Sequence, residues 1–454
     1  MIKSYIKNNL YFTIIFSSGI ILRFLALLFV PIVNDTVSYT ESARFIIELN
    51  YESLRPPGFP LLITPLLMIT GNDALSAKII SFISSVLLIF SSYFVFTKAS
   101  LKLFENNKDS ELKARKIGLL ATFLISFNLF FIIHSGKGLR EDFIALLLVW
   151  LFYYLIIKEE SSFKDNIYLA FLISFLTLTQ LSTGFITILG LILFFIISKF
   201  KWFKFKSILN KKLLLTVVSF AISFFLWSIF SAYKWGDPLV NWNTQGAWFG
   251  VKYGVSLTSF DNIIKALLHA LSFGLPSIFI YLFVLFGFFL IITTLFILIK
   301  KIRIKQIFFI FIIIGLNYAY LTIYITTPRV IMYFFPIILY IAAIPMGIIF
   351  VDLERKEKEF QKKINYLFII FLVSYILRGL DTISIIYLIY QIYNYIPHFS
   401  NINTIISIFQ QSLNPITVII NLIIIIINEI TFLSYIIKNK DSLYFKTKNE
   451  INES

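Results

Sequence analysis

Asp35 stands a few residues past the first long apolar run, in the stretch NDTVSYTESARFIIELNYESLRPPGFP of 34–60. That position sets a carboxylate at a membrane–water boundary, where it can take a proton. Tyr39 and Ala43 follow at steps of four, one face of a short helix. Glu41 and Arg44, three apart on a neighbouring face, are expected to pair. Arg55 then sits on a stiff turn. Pro56 and Pro57 lack amide donors and fix φ, so the segment cannot open as regular helix. An acid, an aromatic helix face and an arginine on a proline turn suit a lipid phosphate. A polar outer loop with no further role would have the same composition.

A second cluster, HSGKGLREDF over 134–143, joins two apolar runs at the depth of Asp35. Arg140, Glu141 and Asp142 enter an apolar helix together. Ionisable groups at that depth are costly and point to function, although acids at a helix N-terminus also simply complement its dipole. Arg329 and Tyr333 lie in a third cluster, TTPRVIMYFFPIIL. Arg23 falls inside the first apolar run and is expected to snorkel to the interface. Gln180 and Ser182 mark a turn. Arg378 with Asp381 reads as a self-neutralising pair, and Asn428-Glu429 as a helix–helix contact.

The elements that must position these residues are membrane helices. The chain has 454 residues, 58% hydrophobic and 14% charged, against roughly 25% charged in soluble domains. Its mean hydropathy is +0.86. Many windows of ~20 residues are almost purely apolar. The runs are continuous rather than alternating, which excludes a closed barrel. With no cysteine, disulfides, thiol catalysis and thiolate metal sites are excluded. His134, His269 and His398 are too scattered to suggest a metal site. No cofactor is implied, and a divalent metal has no supporting ligand cluster.

The net charge of +16 is a topology signal, not a nucleic-acid footprint, because 29 of the 40 Lys and Arg fall in segments that read as inside. These cations also meet anionic lipid headgroups. The inner segments 108–116, 199–206, 300–305 and 354–363 are short, basic and without a glycine-rich phosphate cradle. Lys3 and Lys7 precede a retained anchor near 11–33. Residues 61–71 are too short to span and are expected to dip into the interface. Further spans are expected near 74–97, 117–134, 141–157, 167–181, 183–198, 213–233, 273–299, 306–326, 330–350, 366–390 and 412–437. The predicted fold is thus an all-α polytopic membrane protein of about twelve transmembrane helices, a single domain over 1–437 with a tail over 438–454. Both termini are expected to be cytoplasmic, with longer outer loops at 34–73 and 234–272. The second, YKWGDPLVNWNTQGAWFGVKYG and beyond, is rich in Trp, Tyr, Asn and Gly. That composition suits a sugar site and an interfacial aromatic belt equally.

Taken together, Asp35, Tyr39, Glu41, Ala43, Arg44, Arg55, Pro56 and Pro57 resemble the first outer loop of the GT-C class of membrane glycosyltransferases. The likeness is to the protein O-mannosyltransferase and aminoarabinose-transferase branch. LREDFIALLLVWLFYYL resembles the acid that opens that family's fourth span. FSAYKWGDPL resembles a later outer loop, and TTPRVIMYFFPIIL the Arg-and-Tyr helix near the outer surface. The ordered set covers 10–350. It departs from the family in two places. Thr36 stands where a second acid often follows the first, and Thr179-Gln180 stands for a threonine–arginine pair. The Trp-Trp-Asp signature of oligosaccharyltransferases is absent, which argues against that group's metal site.

The resemblance implies a polyprenyl-phosphate sugar donor and a protein, lipid or glycan acceptor. Asp35 would be the base, Arg55 and Arg329 would hold the phosphate, and Glu141 or Asp142 would be a second acid. Tyr39, Glu41, Arg44 and Tyr333 would support them. Two other classes compete. A lipid-linked-sugar flippase needs a polar path across the bilayer, whereas polarity here gathers on one face. An O-antigen-type polymerase usually carries its large outer loop late in the chain. The topology is directly testable, since the chain has no cysteine of its own. Cysteines placed at Ser53 and Ser207 are expected to react with an impermeant reagent from opposite sides of the membrane; same-side labelling would overturn the assignment.

Overall fold

The computed structural model describes residues 2–103, 110–158, 162–198, 208–240, 333–354 and 423. The expected spans at 273–299, 306–326, 366–390 and 412–437 lie outside the described residues. So do most of the 234–272 loop, Arg329, Arg378, Asp381, Asn428 and Glu429. The chain divides into two compact units, Met1–Ile278 with Lys301–Tyr340, and Phe279–Lys300 with Ile341–Ser454. The expected site residues that are described all belong to the first unit.

The described elements are helices: α1 (Ile2–Phe29), α2 (Asn34–Ile47), α3 (Gly58–Thr70), α4 (Asp73–Leu103), α5 (Ser110–Ser126) and α6 (Leu129–Lys137). After them come α7 (Glu141–Phe152), α8 (Phe163–Thr179), α9 (Leu181–Ser198), α10 (Ile208–Trp235) and α11 (Phe335–Glu354). The protein is an all-α polytopic membrane protein. Among the described residues, three stretches are each long and apolar enough to cross a bilayer alone: Leu10–Phe29, Asp73–Lys102 and Lys212–Trp235. The expected span at 117–134 proves to be two helices, α5 and α6, bent by 52°. Asn128 makes the break, its side chain accepting from the amide of Phe130 at 3.1 Å as a cap. The expected span at 141–157 is α7 finished by a π-helical turn, Tyr153–Ile157.

Helices α1 and α4 run antiparallel. Phe12 meets Tyr93 at 4.4 Å between ring centroids, and Phe24 meets Phe82 at 6.4 Å. Against α1 packs α6, so closely that a Cβ on Gly136 would lie 2.3 Å from the carbonyl oxygen of Ala26. Between the π-turn and α8, Lys158 pairs with Asp165 at 2.6 Å, and Ser162 and Asp165 form a capping box that opens α8. The buried ammonium of Lys212 in α10 donates to the carbonyls of Tyr154 and Lys158, which the π-turn leaves over.

Arg23 does not snorkel. It is fully buried, and its guanidinium donates to Ser85 Oγ (2.5 Å) and to the carbonyls of Gly19 (3.1 Å), Ser126 (2.8 Å) and Ile125 (3.1 Å). The last two lie where α5 breaks: the Ile125 carbonyl also takes the Asn128 amide at 3.4 Å, and the Ser126 carbonyl is met by Arg23; in hydrocarbon an unsatisfied carbonyl is costly. Ser85 in turn donates to Asp142 Oδ1 at 3.3 Å. One arginine therefore ties α1, α4, the end of α5 and the start of α7. Arg23→Met is expected to destabilise the protein in detergent by about 3 kcal/mol or more, because it strands both a buried carboxylate and helix-end carbonyls. Adding Asp142→Asn should restore part of that loss. A double variant no more stable than the single one would show that the carboxylate is not part of the network.

Candidate functional site

The 34–60 stretch folds as the sequence suggests: a helix, a proline turn and a second short helix. On α2, Asp35, Tyr39 and Ala43 share one face. Tyr39 and Ala43 are buried in a cluster with Phe59, Ile63, Leu67, Ala77 and Leu139. The turn starts α3 at Gly58, where a Cβ would lie 2.6 Å from the backbone of Leu178 and Thr179. Only glycine lets α3 approach α8 this closely.

The turn aims Arg55 back at α2. Its Nη2 lies 2.9 Å from Asp35 Oδ1 and its Nε 2.8 Å from Ser38 Oγ. The guanidinium also sits 4.7 Å from the centre of the Tyr39 ring. Both side chains of the pair remain partly open, at 29% and 28% exposure. Tyr51 fixes the turn from behind. Its hydroxyl donates to the Arg55 carbonyl at 2.6 Å, and its ring packs edge-on to Trp227 of α10 at 6.2 Å. Partial burial pushes the Tyr51 phenol up to about 12, so it remains a donor.

A second arginine reaches the same ring. Arg140, at the start of α7, lies 5.3 Å from the Tyr39 centroid, and its Nη1 donates to the Thr179 carbonyl at 2.8 Å. The sequence marked Arg140 only as a neighbour of two acids; the aromatic it would find was not readable from spacing. Thr36, the departure from the family pattern, is fully buried and donates to the Lys137 carbonyl at 2.6 Å. It fastens α2 to the α6–α7 turn, where Gly138 has φ +73 and a Cβ would press the Thr36 methyl at 2.8 Å.

The other expected site residues are dispersed around this pair. Glu141 and Asp142 are both fully buried, Asp142 held by Ser85. Glu41 is exposed. Arg44 does not turn to it but to Asp73 at the head of α4, Nη2 to Oδ1 at 2.8 Å and Nε to Oδ2 at 3.1 Å. This fork-to-carboxylate geometry outcompetes a single contact along α2 and raises the already high affinity of Arg44 for its proton. Tyr333 is buried just before α11. Thr179 and Gln180 close α8, Thr179 beside Arg140 and Gly58. Among the described residues, no group of His, Cys, Asp and Glu could hold a metal ion.

This architecture has a counterpart among solved structures. The chain aligns with the crystal structure of ArnT from Cupriavidus metallidurans bound to undecaprenyl phosphate at a TM-score of 0.54 and 12% identity, over 96% of this chain and 81% of that one. The two share a fold. No protein-family model matches the chain, and neither does any curated protein.

The Tyr39 ring is what both guanidiniums have in common, so its loss should be felt beyond its own bulk. Tyr39→Leu is expected to cost ~2–4 kcal/mol of stability from lost burial and cation–π contact. Tyr39→Phe should cost clearly less, because the ring face survives. Equal losses in thermal unfolding would show that the ring's π-system is not what holds the arginines.

Proposed function

We propose that this protein is an integral-membrane glycosyltransferase. It moves a sugar from a polyprenyl-phosphate donor to an acceptor hydroxyl on the outer face, with inversion, and both its termini are cytoplasmic. The observation that carries the reading is the 2.9 Å contact of Asp35 with Arg55, both partly open to solvent. A proton acceptor and a phosphate-binding fork stand side by side there. The fold shared with ArnT, whose crystal structure holds undecaprenyl phosphate, supports the donor class.

Asp35 takes the proton of the acceptor hydroxyl as its oxygen attacks the anomeric carbon. The bond from that carbon to the phosphate oxygen breaks, and the electron pair leaves with the polyprenyl phosphate. Arg55 and Arg329 hold that phosphate by charge-assisted contacts, and Arg140 adds positive charge on the Tyr39 side. A phosphate is already a good leaving group, so one carboxylate suffices as base. The ground-state Asp35–Arg55 pair is partly solvated and worth only about 1 kcal/mol. Arg55 can therefore pass from the carboxylate to an incoming phosphate at little cost. Glu141 and Asp142 act through the helix start they anchor, with Asp142 setting α7 and hence Arg140.

Asp35→Asn keeps the shape and the acceptor oxygen for Arg55 but cannot take a proton. Turnover is expected to fall by ~10²–10⁴ with undecaprenyl phosphate binding retained. The donor class is tested by giving the purified wild-type protein a labelled nucleotide sugar alone and, separately, a labelled polyprenyl-phosphate sugar. Transfer from the nucleotide sugar without a lipid carrier would refute the reading, as would near-normal turnover by Asp35→Asn.

A further inference from the structure

The junction of α8 and α9 carries buried polar atoms that find no partner among the described residues. Thr179 Oγ1, Gln180 Oε1 and Thr183 Oγ1 are buried and without a hydrogen-bond partner among the described residues. The residues are 0%, 6% and 0% exposed. Their neighbours behave differently. Thr177 and Thr187 donate to the carbonyls one turn back, of Ile173 at 2.8 Å and Thr183 at 2.7 Å. That is the ordinary outlet for a threonine in a membrane helix. Thr183 lacks that outlet because the residue four back, Thr179, belongs to α8, and the extended Gln180 separates it from α9. Gln180 is extended, at φ −154 and ψ 103, and spends its amide nitrogen on Ser182 Oγ at 3.1 Å, leaving its oxygen over. Native proteins keep few such orphans, so each asks for a partner.

The cluster adjoins the arginine turn. Thr179 Oγ1 lies where a Cβ on Gly58 would come within 2.6 Å of it, three residues from Arg55. The cluster is neutral and made of two hydroxyls and an amide oxygen. That set repels a phosphate oxygen at the amide and lacks the carboxylates a cation needs. It matches a ligand that both donates and accepts without charge. We propose that the α8–α9 junction is the subsite for the sugar ring of the donor, with Gln180 Oε1 accepting from one sugar hydroxyl and Thr179 and Thr183 pairing with others. The assignment rests on the glycosyl-transfer reading. Because these atoms are covered in the free chain, the ring enters by parting Gly58 from Thr179, so sugar binding moves the turn that carries Arg55.

The full-length protein in nanodiscs is titrated with undecaprenyl phosphate alone, and with undecaprenyl phosphate bearing glucose, mannose, galactose or aminoarabinose. The wild type should bind at least one sugar-bearing lipid more tightly than the bare one. Gln180→Leu and Thr183→Val should each weaken that lipid by ~3–10-fold, the size of one hydrogen bond, and leave the bare phosphate unchanged. Thr183→Ser should keep the sugar preference. The apolar variants should also melt at a higher temperature when ligand-free, since they remove unsatisfied groups. A wild type indifferent to the sugar would overturn the subsite, and so would variants that lose both ligands equally or neither. If the wild type also fails to bind bare undecaprenyl phosphate, the functional reading itself falls; if it binds it, only the subsite does.

Discussion

A guanidinium in hydrocarbon has no water to turn to, and most of this architecture depends on how Arg23 is satisfied. Five donors must find acceptors inside the protein. Four of these contacts are made to Ser85 on one helix, the helix's own Gly19 carbonyl, and the carbonyls of Ile125 and Ser126 where α5 breaks. The arginine and Asn128 together satisfy the break, and the break supplies two of the arginine's acceptors. Through Ser85 the same group fixes Asp142, two residues on from Arg140. The depth at which α7 begins is thereby set from inside the membrane.

Two charged systems of different character are stacked near one face. The lower, around Arg23, is sealed and expensive to disturb. The upper, Asp35 with Arg55, is partly open and weakly bound. Tyr39 lies close to both of the upper arginines, and its ring offers cations attraction without taking a hydrogen bond from them. The arrangement is rigid below and exchangeable above, as suits a site whose ligand must arrive and leave.

Much of the upper system was readable in the sequence. The steps of four from Asp35 to Tyr39 to Ala43 set one face of α2, buried at Tyr39 and Ala43 and partly open at Asp35, and the two prolines forced the turn that carries Arg55. The rest depended on contacts that no local pattern encodes. The run from 117 to 134 is apolar almost throughout, so hydropathy sees one span, and only Asn128 in its middle betrays the cap of a new helix. Arg23 looks like any arginine near a membrane surface until the carbonyls of Ile125 and Ser126, a hundred residues on, are placed around it. Arg44 had a nearer acid in sequence and chose a farther one, because Asp73 presents both oxygens to its fork. Residues 36, 58 and 138 matter through close approaches between helices, which depend on tertiary packing alone.

The way Tyr51 is seated has a mechanical corollary. Its ring lies on Trp227 and Phe230 of α10 while its hydroxyl holds the peptide of Arg55. Helix α10 is a rod of 28 residues, about 42 Å long. Its opposite end is pinned by Lys212 to the peptides of Tyr154 and Lys158. The arginine is thus referenced to a strut long enough to cross the whole bilayer. A sideways or axial displacement of that strut, whether from lipid thickness or from a partner gripping its far end, arrives at the Asp35–Arg55 gap as a change of spacing.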